Sequence, residues 1–148
     1  MNSYRIVLAD DQPVFRQILR RMLAGEMDLE VVGEADDGPA LLNLLSQSVI
    51  APDLAILDLS MPGMSGIETA RRISSMYPSI KALIVTVHDE PYCITKAFLA
   101  GASGYVCKDR ADTELLKAIE VIRSGRRYKP PLSVAMSEQD AGRAASSR

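Results

Sequence analysis

The stretch Leu54-Ala55-Ile56-Leu57-Asp58-Leu59-Ser60-Met61-Pro62-Gly63-Met64-Ser65-Gly66 decides how this chain is read. Its first four residues are continuously apolar, which suits a short strand covered on both faces better than one with a wet side. The run ends on a carboxylate, passes through a short connection and enters at Gly66 a segment of helical spacing that continues to Tyr77. A buried strand, a polar tip and a helix, in that order, make one unit of a parallel sheet.

The same unit recurs on either side. Runs rich in β-branched residues predict strands at Tyr4 to Ala9, Leu29 to Glu34, Asp53 to Leu57, Lys81 to Val87 and Ser103 to Cys107. Ile6-Val7-Leu8-Ala9 and Ala82-Leu83-Ile84-Val85 share the unbroken apolar character, so these strands are expected at the centre of the sheet. Phe15, Ile18, Leu19, Met22 and Leu23 form a helical stripe, and further helices are expected at Pro39 to Val49, Gly66 to Tyr77, Pro91 to Ala100 and Thr113 to Ser124. Pro13, Pro39 and Pro91 stand near helix starts, where a missing N–H costs little, and Gly25, Gly101 and Gly125 stand where helices should stop. Five alternations predict a doubly wound α/β sandwich with right-handed crossovers.

Composition sets the outer bounds. A chain of 148 residues can bury one self-sufficient core, and two cysteines exclude a disulfide-rich scaffold. No apolar run approaches the roughly 20 residues of a membrane span, and the amino terminus moves straight into Ile6-Val7-Leu8-Ala9 without the features of a signal peptide. A cytoplasmic protein with no membrane partner is expected. The formal charge of −2 argues against a chain devoted to phosphate backbones. Residues 1–124 read as the folded domain and 125–148 as a linker followed by a polar tail expected to be disordered; Arg123, Arg126, Arg127 and Lys129 read as a solvated helix end.

In an open parallel sheet the ligand crevice lies outside the carboxyl ends of the strands. Asp10 and Asp11 follow the first expected strand, Asp58 the third and Lys108 the fifth, while Thr86 lies at the tip of the fourth. One edge of the fold collects them all. Carboxylates within about 4 to 6 Å of one another repel unless a cation joins them, and a hard divalent ion such as Mg2+ takes oxygen ligands of this kind together with a phosphate oxygen. Lys108 and the Thr86 hydroxyl would face the same phosphate. No glycine-rich phosphate loop occurs, and one histidine, His88, with Cys93 and Cys107 makes no zinc constellation. What remains is a carboxylate nucleophile, Asp58, able to form an acyl phosphate. Taken singly, Asp11 also fits a helix cap, Thr86 an ordinary strand residue and the cysteines small buried hydrophobes.

The runs Val7-Leu8-Ala9-Asp10-Asp11, Ile56 to Gly66 as quoted, Val85-Thr86-Val87-His88 and Gly101-Ala102-Ser103-Gly104-Tyr105-Val106-Cys107-Lys108 together closely resemble a two-component response-regulator receiver domain of the NarL/LuxR type, over about residues 4 to 124. The resemblance implies a flavodoxin-like (CheY-like) five-stranded sheet of order 2-1-3-4-5. It implies that Asp58 accepts a phosphoryl group from a histidine of a sensor kinase. It also implies that Mg2+ is bound by Asp11 and Asp58, by Asp10 through water, and by the carbonyl of Ser60. Lys108 would pair with the phosphate, Thr86 would report its arrival, and Tyr105 would change rotamer as Thr86 moves. The lysine is followed here by Asp109 where many receivers have a proline. Such a protein is a switch rather than a turnover enzyme, and it can form a homodimer on phosphorylation. DNA would be reached only through a helix-turn-helix domain for which too few residues follow Lys129, so a stand-alone receiver acting through protein contacts is the alternative. A haloacid-dehalogenase-type phosphatase would carry a second aspartate two residues after its nucleophile, where Ser60 stands.

Overall fold

The computed structural model describes residues 3–47 and 49–130, so the expectation for the polar tail falls outside the described residues. Five strands, β1 (Tyr4–Ala9), β2 (Leu29–Ala35), β3 (Leu54–Leu57), β4 (Lys81–Thr86) and β5 (Gly104–Cys107), form one sheet of order β2-β1-β3-β4-β5. Every pairing is parallel. Five helices connect or follow them: α1 (Pro13–Ala24), α2 (Gly38–Leu45), α3 (Gly66–Met76), α4 (Pro91–Leu99) and α5 (Ala111–Arg123), the last entered through a short 3-10 turn at Lys108–Arg110.

Alternation along the strands divides the core in two. Ile6, Leu8, Ile56, Leu83 and Val106 face α1 and α5, where Leu19, Leu23, Leu115, Ile119 and Ile122 meet them. Val7, Ala9, Leu57, Ile84 and Tyr105 face α2, α3 and α4. Because both faces are covered, β3 and β5 are buried at every position, the reason their sequences show no period of two. Pro13 and Pro91 open α1 and α4, and Pro39 lies in the first turn of α2, as expected from their sequence positions. Gly101 and Gly125 leave their helices with positive φ, whereas Gly25 stays right-handed.

The differences from the sequence reading have local causes. Helix α2 stops at Leu45 instead of Val49: the Ser46 hydroxyl donates to the Asn43 carbonyl and competes with the helical ladder, and Val49 is exposed. Val87 leaves β4 and is exposed. Ile18 lies at the wet margin of its stripe, with Leu19 and Leu23 carrying the burial. Within the segment read as linker, Tyr128 is buried and bridges to Gly104 of β5.

Candidate functional site

Backbone pairing carries the strand tips into the site. The Asp10 N–H donates to the Ala35 carbonyl at 3.1 Å, and the Asp58 N–H donates to the Ala9 carbonyl at 2.9 Å, so both carboxylates leave the sheet from fixed positions. Gly66 closes the connection after Asp58. Its N–H donates to the Leu59 carbonyl, and a Cβ there would stand 2.1 Å from the Asp58 carbonyl oxygen. Only glycine lets the start of α3 approach the acid this closely.

The carboxylates of Asp10, Asp11 and Asp58 converge, with one oxygen from each lying within 4.8 Å of the others. Asp10 and Asp58 are buried and Asp11 is exposed. Lys108 reaches between the buried pair, its Nζ 2.8 Å from Asp10 Oδ2 and 3.4 Å from Asp58 Oδ2, with 7% of its side chain exposed. The ammonium also donates to Gln12 Oε1 at 2.9 Å and lies 4.4 Å from the centre of the Phe15 ring. Burial holds the Asp10 carboxyl above its ordinary range; the hydrogen bonds from Lys108 and the Gln12 N–H oppose this, while the Asp58 charge adds to it.

Thr86 is fully buried at the tip of β4, and its hydroxyl accepts a long bond, 3.5 Å, from the His88 N–H. Tyr105 is fully enclosed, and its hydroxyl donates to the His88 carbonyl at 2.8 Å. His88 reaches the Ser60 hydroxyl at 2.9 Å through Nε2 and stands 3.7 Å from Glu90 through Nδ1. The loop that follows Asp58 and the loop that follows β4 are thus tied to each other. Cys93 and Cys107 are buried free thiols, and burial pushes both above their ordinary values.

Asp10, Asp11, Asp58 and Lys108 therefore meet, with Thr86 and Ser60 on the adjoining tips. The helix-cap reading of Asp11 does not hold: Gln12 is the cap residue of α1, and Asp10 Oδ1 accepts its N–H at 2.8 Å. Gln12 and Phe15 as supports of Lys108, and Arg16, which donates to the Asp10 carbonyl, escaped the sequence reading. Their signal is positional: Gln12 caps α1 directly after the acid pair, and Phe15 and Arg16 lie in its first turn, where the apolar stripe alone explains Phe15.

Residues 6–120 match the response regulator receiver domain. The chain belongs to that family. It is 39% identical to the transcriptional regulatory protein NarL of Mycobacterium tuberculosis over 86% of this chain and 58% of that protein. The structure of the NarL signal receiver domain superposes with a TM-score of 0.79, covering 85% of this chain and all of that one. A LuxR-family two-component response regulator from Aurantimonas sp. SI85-9A1 is 36% identical, with a TM-score of 0.83 over 97% of this chain and 99% of that one. The chain spans little more than half the length of the curated relatives it matches. The receiver is a signalling switch by family and a five-stranded 2-1-3-4-5 sheet by structure. No helix among the described residues is long and apolar enough to cross a membrane.

Proposed function

We propose that Asp58 is the phosphoryl acceptor of this receiver and that a histidine of a sensor kinase is the donor. The observation that carries the reading is the meeting of three aspartates at the strand tips with the buried ammonium of Lys108 set between Asp10 and Asp58. An Asp58 oxygen attacks phosphorus, and the bond from phosphorus to the donor nitrogen breaks with its electron pair on the nitrogen, leaving an acyl phosphate. Lys108 is close enough to Asp58 to stabilise the equatorial oxygens of the transferring group, so positioning and charge do the catalytic work. Phe15 and Gln12 hold the ammonium there.

Three formal negative charges against one positive leave a charge that a divalent ion matches, and carboxylate oxygens are the donors Mg2+ prefers. Asp11, Asp58, Asp10 and the Ser60 carbonyl would hold it. When bound, it neutralises carboxylate and phosphoryl oxygens together. Thr86, at the adjoining tip, reports the new oxygens through its hydroxyl, and Tyr105 follows through the His88 turn to which both are bonded.

The wider output follows from the relatives. Their names are those of transcriptional regulators, and this chain matches only about half of their length. We read the receiver as the cytoplasmic control module of such a regulator, reaching DNA through a further domain and dimerising on phosphorylation. The deciding experiment is intact-mass spectrometry after incubation with acetyl phosphate and Mg2+. Wild type gains one phosphoryl group and Asp58→Asn gains none; undiminished labelling of the variant would remove Asp58 from the role.

A further inference from the structure

The segment Arg126–Pro130 does not leave the domain as a free tether. The Tyr128 N–H donates to the Ser103 carbonyl at 2.9 Å, and the Tyr105 N–H donates to the Tyr128 carbonyl at 3.1 Å, so Tyr128 adds a parallel bridge to the outer edge of β5. Gly104 permits the approach: a Cβ there would meet Ile122 and Leu83 within 3 Å and Tyr128 at 3.3 Å. The Tyr128 ring is buried against the α5 side of the core, and its hydroxyl donates to Glu114 Oε1 at 3.2 Å. On the other side the Arg127 guanidinium lies 5.9 Å from the Phe98 ring of α4, and Lys129 and Pro130 line a small apolar groove with Pro91, Ile94 and Thr95. One short segment is therefore fastened to α4, β5 and α5.

These bonds continue inward without a gap. Tyr128 is bonded to the backbone of Tyr105, the Tyr105 hydroxyl to the His88 carbonyl, the His88 N–H to the Thr86 hydroxyl, and the His88 ring to Ser60 beside Asp58. We infer that Arg126–Pro130 is a latch coupled to the phosphorylation site, docked more firmly when Asp58 carries its phosphoryl group, so that the signal leaves through the chain that follows the domain. The inference rests on Asp58 being the acceptor. A group bound at Asp58 that fixes Thr86 also fixes the His88 turn, which holds Tyr105 in the enclosed position from which its N–H donates to the Tyr128 carbonyl. Docking and occupancy then favour each other, and the coupling is reciprocal. The two-state element is the latch itself, which opens locally because so short a segment is held by few bonds.

Trypsin reads the latch directly, because Arg126 and Arg127 are exposed side chains on a backbone that must detach to be cut. Beryllofluoride with Mg2+ serves as the phosphoryl mimic, its binding to the full chain followed by fluorine NMR. In wild type the mimic slows cleavage after Arg126 and Arg127 by about fivefold or more, with no such change in Asp58→Asn. In Tyr128→Ala those bonds are cut rapidly with or without the mimic, and the mimic binds more weakly by the factor it protects in wild type. Amide hydrogen exchange at Tyr105 and Tyr128 of wild type carries the same test without a substitution. A bound fluorine signal with unchanged or faster cleavage overturns the latch alone. Failure of wild type to give any bound signal overturns the acceptor reading, and the latch with it.

Discussion

Two buried acids sit at the two ends of this mechanism, and their partners differ. Asp10 meets Lys108 at 2.8 Å with both side chains almost fully enclosed, yet the cluster keeps more negative than positive charge. Glu114 is also buried, but its close partner is the neutral Tyr128 hydroxyl; the Arg110 guanidinium stands 3.9 Å away with nearly half its side chain in water. Charge held against charge in a dry place costs desolvation that its own pairing scarcely repays. A carboxylate bonded by a phenol asks for nothing further. The first arrangement is poised for an incoming cation and phosphate, and the second fastens one piece of chain to another.

The largest expected effect comes from removing the cation. Lys108→Met leaves Asp10 and Asp58 facing each other and should lower the unfolding free energy by about 3 kcal/mol, since a buried charge without its partner is strongly destabilising. Arg110→Ala should cost less than about 1 kcal/mol, since the pair is long and its cation is nearly half in water. Urea denaturation of both variants checks the contrast, and equal losses would erase the distinction between the two acids. Mg2+ should restore part of the stability of Lys108→Met by binding the folded state alone.

The two ends were not equally legible. Asp10, Asp11, Asp58, Thr86 and Lys108 could be located because each ends or follows a strand whose apolar run announces it, and a parallel sheet must bring such tips to one edge. The strand order needed more than periodicity, and came with the family resemblance. Tyr128 offered no comparable signal. It stands alone between Arg127 and Lys129 after a helix-ending glycine, and its burial depends on a space beside Gly104 that exists only once α5 has packed. Gln12 and Phe15 were hidden for a similar reason: their contact with Lys108 joins residues almost a hundred positions apart.

A smaller effect sharpens the Glu114 side. Tyr128→Phe keeps the ring and the backbone bonds but removes the donor to Glu114, leaving a buried carboxylate short of one partner. The expected loss is about 1 to 2 kcal/mol. Pairing the change with Glu114→Leu should recover much of it, because two apolar groups that meet leave nothing unsatisfied. A double-mutant cycle with no coupling would mean that the 3.2 Å contact contributes nothing in solution.

The smallest effect is the pH dependence, and it separates the two ends by window. Both groups are raised by burial, Asp10 above the ordinary carboxyl range and Tyr128 to about 12. For each, the folded state therefore favours the protonated form. The stability this lends is complete below the pKa of the unfolded chain and is lost as pH rises through the raised folded value. For Asp10 the loss begins in the acid range, near the ordinary aspartate value of about 4, and is complete once the pH has passed the raised folded value. Asp10→Asn, which cannot ionise, should accordingly gain on wild type as pH climbs through that acid range in the absence of divalent ions. Mg2+ should shrink the gain, since the ion would favour the charged Asp10. For Tyr128 the loss begins near pH 10 and runs to about 12, so Tyr128→Phe should close its stability gap with wild type only in alkali. Denaturant titrations of the three proteins across both ranges decide the matter. Should Asp10→Asn track wild type through the acid range, Asp10 would be no more burdened than a surface acid, and the contrast between the two buried carboxylates would rest on Lys108 alone.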